Sequence, residues 1–192
     1  MKIHGRRCLN IEERHYFAYG SNMNLEQMDF RCPEAVVVEN VRLEGYRLAF
    51  CGRNPGNGVA TILPEEGSHV DGVLWRITPR CEESLDRYEG YPHLYGKEMV
   101  SVRNTGDMQQ NAAVYVMNAP YKDCPAKPSD FYLKGILEGC RQNQLPVEPV
   151  MEAVKRTKKE LEQQKRNSRS RTENGRSRYC LLYTSPSPRD CS

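Results

Sequence analysis

Two places in the sequence carry residues suited to moving a proton beside a polarised carbonyl. The first is Tyr19-Gly20-Ser21-Asn22. Gly, Ser and Asn permit a sharp turn that points several backbone N–H groups into one space, a cradle for an anion or oxyanion. The same residues also suit a plain strand end and turn. The second place is Glu89. Thr78 is placed to cap a helix, Pro79 fits its first position, Cys81, Leu85 and Tyr88 share one face at helical spacing, and Gly90 can end it. Glu89 is thereby left at the C-terminal end, where the helix carries a partial negative charge, and Tyr88, Tyr91, Leu94 and Tyr95 are placed to make its surroundings apolar. Both effects raise its pKa toward neutrality, where one group can take and return a proton. The plain alternative is a solvated helix-end glutamate.

The elements that must hold these two places follow from the pattern along the chain. Tyr16 to Tyr19 read as a strand that stops at the turn, and residues 1–14 as a polar leader without periodicity. Asn24 to Met28 open a short helix that Pro33 ends. Val36 to Val38, Val41 to Leu43 and Tyr46 to Phe50 alternate as strands, and Gly52 to Gly58 form a loop. Val59 to Leu63 and Val70 to Ile77 read as two strands joined by the turn-rich Pro64 to Ser68, with Trp75 in the core. After the Glu89 helix, Lys97 to Arg103 and Ala112 to Met117 form a hairpin around Asn104 to Asp107. Ser129 caps a helix that buries Tyr132, Ile136, Leu137 and Cys140, which Leu145-Pro146 ends. A further helix starts at Val147 and uses Val150, Met151 and Val154 before the charged run Lys155 to Gln164. Disorder is expected from Lys165, and the last block, around Tyr179 to Asp190, resembles non-native read-through, so residues 173–192 are left out of the fold reasoning. The organisation expected is a leader over 1–14, one domain over 15–150 and a charged helix or tail over 151–172. Many strands without strict strand-helix alternation give an α+β class: a small mixed, largely antiparallel, barrel-like sheet with a few flanking helices.

Composition narrows the functions. The chain has 192 residues, 38% hydrophobic and 28% charged, in the range of a soluble globular protein. No run approaches a membrane span and no signal-peptide core follows Met1, so the expectation is a cytoplasmic protein that engages no membrane. Lys and Arg number 17 against 21 Asp and Glu over residues 1–152, net −4, and 11 against 4 beyond, net +7. The positive balance therefore belongs to the tail, and the domain itself offers no nucleic-acid surface. The 8 cysteines form no CxxC pair and no metal-ligand spacing with the 4 histidines, so neither a metal nor a disulfide framework is expected. There is no dinucleotide or Walker fingerprint, and Ser21 lies outside any Gly-x-Ser-x-Gly elbow.

Tyr16-Phe17-Ala18-Tyr19-Gly20-Ser21-Asn22, Gly58 to Ile62, Gly72 to Trp75, Leu85-Asp86-Arg87-Tyr88-Glu89-Gly90 with Tyr95 shortly after, then Pro128 to Tyr132 and Gln144 to Pro146, occur in an order that resembles the gamma-glutamylcyclotransferase family over about residues 15–150. The resemblance implies a cofactor-free enzyme acting on a small γ-glutamyl substrate. The substrate's own α-amine attacks its γ-carbonyl and closes the ring of 5-oxoproline, releasing the attached amino acid. It implies Glu89 as the catalytic proton carrier and Tyr16, Phe17, Ala18, Tyr19, Gly20, Ser21, Asn22, Tyr95 and Tyr132 as substrate-binding residues. A place in glutathione metabolism and a monomer or homodimer are expected with it. Asn22, where the branch specific for glutathione has leucine, sets the chain apart from that branch. A γ-glutamylamine cyclotransferase and a non-catalytic ligand-binding or interaction module on the same fold are the alternatives.

Overall fold

A computed structural model describes residues 14–173, and the expected leader and the expected non-native tail lie outside the described residues except for Arg14 at one edge and Glu173 at the other. Five strands close a barrel in the order β1-β3-β2-β4-β5. They are β1 (Arg14–Ala18), β2 (Val36–Cys51), β3 (Val59–Ile77), β4 (Tyr95–Arg103) and β5 (Gln109–Met117). Four contacts around the barrel are antiparallel, and β1 closes it by lying parallel to β5, with Tyr16 opposite Ala113. Four helices flank it: α1 (Leu25–Arg31), α2 (Pro79–Glu89), α3 (Asp130–Gln142) and α4 (Glu148–Glu173). The α+β barrel expected from the sequence is the one observed.

Local chemistry explains most boundaries. The side chains of Asn24, Thr78 and Ser129 each accept a backbone N–H of the helix that follows, from Gln27, Cys81 and Tyr132, an arrangement that contributes about 1 kcal/mol per helix. Gly90 ends α2 in the left-handed conformation, which a residue without a Cβ adopts readily.

Several expectations are corrected. Arg14 is the first residue of β1, paired with Ile77, and Tyr19 lies just past the strand's end. The three short segments between Val36 and Phe50 are one strand. Val59 to Ile77 is likewise one strand of 19 residues, because Pro64 to Ser68 is absorbed as an irregularity opposite Gly45 rather than forming a turn. Gly45 and Gly67 both take positive φ there, so the ladder resumes at Glu44 and His69. In α2, Cys81 and Leu85 are buried but Tyr88 is exposed, and in α4 Val150, Ala153, Val154 and Thr157 are buried while Met151 is exposed. The chain is helical from Lys165 to Glu173, where disorder was expected.

The core fills the barrel and the seams beneath the helices. Phe17, Phe50, Ile62, Leu74, Met117 and Ile136 are among its largest fully buried members, and Trp75 is 4% exposed. This frame brings the two chemically suggestive places together. Because β3 runs antiparallel to β1, α2 starts near the beginning of β1, where Arg14 pairs with Glu82, and travels back along the barrel. Its eleven residues rise about 16 Å, close to the span of the five-residue β1. Its last residue, Glu89, therefore arrives beside the turn that follows β1.

Candidate active site

The face of α2 turned to the barrel carries Glu82, Asp86 and Glu89 at i, i+4 and i+7, and the first two anchor the helix. Lys97 Nζ of β4 sits 2.6 Å from Glu82 Oε1 and 2.8 Å from Asp86 Oδ1, and Tyr115 Oη of β5 donates to Asp86 Oδ1 at 2.6 Å. Burial pushes the Glu82 carboxyl up, but bonds from Lys97 and Arg14 outweigh it and hold the group below its ordinary value. Glu89 has no such pair. Burial pushes its carboxyl up from 4.5 to about 7, against weaker opposing pulls from the Arg31 charge and the Asn22 hydrogen bond. The contrast along one helix face shows how two cations decide the outcome.

The turn after β1 is a short 3-10 turn, Ser21–Met23, with Gly20 preceding it. Gly20 is closely packed: a Cβ there would lie 3.2 Å from Ala60 Cβ, a tight contact, and 3.6 Å from Tyr132 Oη, an ordinary one. Within the turn the Met23 N–H donates to Gly20 O at 3.0 Å and the Asn24 N–H to Ser21 O at 3.1 Å. α3 holds the turn from behind. Asn143 Nδ2 donates to Met23 O at 2.8 Å, and Gly139 allows the helix to pack on Met23 and Asn24.

Asn22 links turn and acid. Its Nδ2 donates to Glu89 Oε1 at 2.9 Å and to Tyr16 Oη at 2.8 Å, while its Oδ1 accepts from Arg31 Nη1. Arg31 is donor-only, so its contact fixes the amide orientation. Ala60 of β3 is gripped on both sides: Tyr132 Oη accepts from its N–H at 3.1 Å and Tyr95 Oη donates to its carbonyl at 2.6 Å. Tyr19 Oη donates to the Tyr115 carbonyl at 2.5 Å, and the Tyr16 and Tyr115 rings meet edge to face at 5.7 Å. Burial raises the phenol pKa values of Tyr16, Tyr19, Tyr95 and Tyr132. They stay neutral hydrogen-bonding groups through the range in which Glu89 titrates.

Together these residues enclose a cavity of about 220 Å³ lined by Tyr16, Tyr19, Gly20, Ser21, Asn22, Tyr95, Tyr132 and Glu89 among others. That is below the roughly 300–1,000 Å³ of sites for drug-sized ligands and suits one amino-acid-sized group. Phe17 and Ala18 do not line it. They are 0% and 1% exposed, and Phe17, paired with Leu74, points to the opposite face of β1 from Tyr16. Tyr91 is exposed outside the cavity, whereas Tyr88, Leu94, Val59, Ala60 and Tyr115 line it. The sequence reading did not assign Ala60 or Tyr115 to the site, although Ala60 lies in the Gly58 to Ile62 segment of the resemblance and Tyr115 is one of several tyrosines able to ring a pocket; strand register brings both here. That reading also missed Arg31. The i, i+4, i+7 spacing of Glu82, Asp86 and Glu89 was the available sign that α2 turns an acidic face inward.

Among the lining residues, Glu89 carries the only charge, facing neutral hydroxyls and backbone amides. At one end of the barrel, an acid pushed up to about 7 thus meets the Gly20 to Asn22 turn across a small cavity. Over residues 16–134 the chain matches the family described as Gamma-glutamyl cyclotransferase, AIG2-like. It is 35% identical over 141 residues to the gamma-glutamylcyclotransferase of Bos taurus and 34% identical over 141 residues to that of Homo sapiens, covering 69% of this chain and 73% of each relative. A solved structure titled Gamma-glutamyl cyclotransferase superposes with a TM-score of 0.65 at 33% identity, covering 75% of this chain and 87% of that one. The chain belongs to the gamma-glutamyl cyclotransferase, AIG2-like family.

Proposed function

We propose that the protein is a gamma-glutamylcyclotransferase that converts the γ-glutamyl group of a γ-glutamyl amino acid to 5-oxoproline, with Glu89 as its proton carrier. The observation that carries the reading is the meeting of Glu89 with the Gly20 to Asn22 turn in a cavity sized for one glutamyl group. The α-ammonium gives a proton to the Glu89 carboxylate. The freed amine then attacks the γ-carbonyl carbon, forming the ring C–N bond, while the amides of the turn stabilise the oxyanion. When the tetrahedral species collapses, the original amide C–N bond breaks and Glu89 returns its proton to the leaving nitrogen; the second proton, shed by the ring nitrogen, passes by way of the same carboxylate to the freed amine, which leaves as its ammonium. The nucleophile belongs to the substrate, so the protein supplies orientation, which for intramolecular attack is worth on the order of 7–11 kcal/mol, and one proton shuttle.

The test is Glu89→Gln, nearly isosteric and unable to carry the proton. It is expected to lower 5-oxoproline release by about 10²- to 10⁴-fold with the fold intact. Undiminished turnover in that variant, or no product from the wild type, would refute the assignment. The lining offers no cation for a leaving-group carboxylate, an observation that also suits a γ-glutamylamine substrate. A mass-spectrometric product screen over γ-glutamyl amino acids and amines separates the two. Among the described residues no helix is long and apolar enough to cross a membrane. The thiols of Cys32, Cys51, Cys81 and Cys140, buried and unpaired, support a cytoplasmic setting.

A further inference from the structure

We propose that Arg31 is a positioning residue of this site: by donating to Asn22 Oδ1 it decides which end of the Asn22 amide faces Glu89, and so aims the carboxylate for proton transfer. The inference rests on the proposed function. Arg31 lies in the last turn of α1 and its side chain ties three elements together. Nη1 donates to Asn22 Oδ1 and, at 3.3 Å, to Ser21 Oγ, while Nη2 donates to Gln27 Oε1 at 2.8 Å and to Tyr88 Oη at 2.6 Å. The guanidinium carbon also lies 3.6 Å from the centre of the Tyr88 ring. This is a fixed planar fork with donors committed on both sides, a geometry that an ammonium reproduces only in part.

An asparagine amide is nearly symmetric in shape, so packing alone does not choose which end points where. Glu89 Oε1 and Tyr16 Oη would accept from Nδ2, but the reversed amide would set Oδ1 against the Glu89 carboxylate. Arg31 can only donate, and it therefore selects the orientation with Nδ2 toward the acid. With Asn22 holding Oε1, the second carboxylate oxygen is the one left to receive the substrate proton. Titratable or charged groups face Glu89 from every neighbouring element: Tyr16 from β1, Tyr19 beyond it, Arg31 from α1, Tyr88 on α2, Tyr95 from β4, Tyr115 from β5 and Tyr132 from α3. Arg31 is the one cation of the set, and its charge favours the carboxylate form of Glu89.

The experiment follows 5-oxoproline release from γ-glutamylalanine between about pH 5.5 and about pH 9.5, bracketing the Glu89 titration. It compares wild type, Arg31→Met, Arg31→Lys, Asn22→Ala and the double variants with Asn22→Ala. Arg31→Met should move the acid limb of kcat/KM up by about one pH unit, a roughly tenfold loss at about pH 6 that is mostly regained above the shifted limb. Arg31→Lys, which keeps a charge and a donor, should stay within about threefold of wild type. With Asn22 already replaced by alanine, Arg31→Met should move the acid limb clearly less than it does in the wild-type background, the remainder being the direct pull of the Arg31 charge on Glu89. An unmoved acid limb with loss confined to KM, or an Arg31→Met shift of that limb equal in size with and without Asn22, would overturn the proposal. If Arg31→Met does not fold, Arg31→Gln, which removes the charge, takes its place in the cycle and is read by the same criterion. A wild type that releases no 5-oxoproline refutes the function itself, whereas an active wild type with an equal Arg31→Met shift in both backgrounds refutes the role of Arg31 alone.

Discussion

Asn22 Nδ2 lies 2.9 Å from Glu89 Oε1, joining the turn after β1 to the last turn of α2 across 67 residues of sequence. The bond favours the charged form of Glu89, yet burial outweighs it and the carboxyl rests at about 7. The acid is therefore held in a form that costs stability. A pKa raised from 4.5 to about 7 in the folded state means that the burial cost is absent below the unfolded value. It grows as pH rises between the two, and above the folded value it reaches about 3 kcal/mol.

The first prediction follows from that sign. Glu89→Gln removes the ionisation while keeping an oxygen that can accept from Asn22. Thermal melts should show the variant several degrees more stable than wild type at about pH 8 and equal to it at about pH 4. A stability difference constant over that range would show that Glu89 does not titrate with a raised pKa.

A second prediction uses Asn22→Asp, which preserves shape and still accepts from Arg31. It replaces the N–H facing Glu89 with a carboxylate oxygen, and two carboxylates at hydrogen-bond distance do not both ionise readily. The Arg31 charge favours ionisation of the new aspartate, so the proton stays on Glu89. The acid limb of kcat/KM should move up by more than one pH unit, with activity at about pH 7 reduced roughly tenfold or more. A pH profile like that of wild type would mean that the Asn22–Glu89 bond plays no part in setting the acid.

What the sequence disclosed about this site is what local chemistry encodes. Thr78, Pro79 and Gly90 bound α2 through capping, left-handed geometry and fixed φ, and so placed Glu89 at its end. Gly20 to Asn22 form a turn for reasons equally local. Phe17 and Ala18 were drawn in by adjacency to those residues, although strand alternation turns Phe17 away from Tyr16. Ala60 could not be read, because only register brings it to Tyr95 and Tyr132, 35 and 72 residues distant. Pro64 to Ser68 looked like a turn by composition, and it is a strand irregularity because a long partner strand runs past it.

The third prediction concerns two glycines of α3, whose replacement by alanine would gain up to about 1 kcal/mol in an isolated helix. At Gly139 a Cβ would lie 2.7 Å from Asn24 N and 2.8 Å from the Met23 carbonyl carbon, backbone atoms that cannot give way without moving the turn. Gly139→Ala should destabilise by about 1–3 kcal/mol and lower kcat/KM, because the displaced turn carries Asn22. At Gly135 the nearest atom is Gln27 Nε2, at 2.6 Å, the far end of a flexible side chain. Gly135→Ala should be close to neutral in urea unfolding. Equal costs at the two sites would show that α3 does not bear on the turn as described.

The fourth prediction tests the grip on Ala60. Tyr95→Phe removes the donor to a buried carbonyl, and Tyr132→Phe removes the acceptor from the N–H of the same residue. An unsatisfied buried backbone group costs about 1–3 kcal/mol, so Tyr95→Phe should lower the unfolding free energy by that amount, seen as a lower urea midpoint with an unchanged slope. Tyr132 is only half-buried, and water entering from the cavity can take its place, which makes its loss the smaller of the two. Because both bonds hold one residue, the double variant should lose less than the two single losses combined. Ala60 packs against Gly20, so each variant should also lower kcat/KM by loosening the wall that supports the turn. Full additivity with unchanged kinetics would mean that the two tyrosines act separately and that Ala60 is not their common anchor.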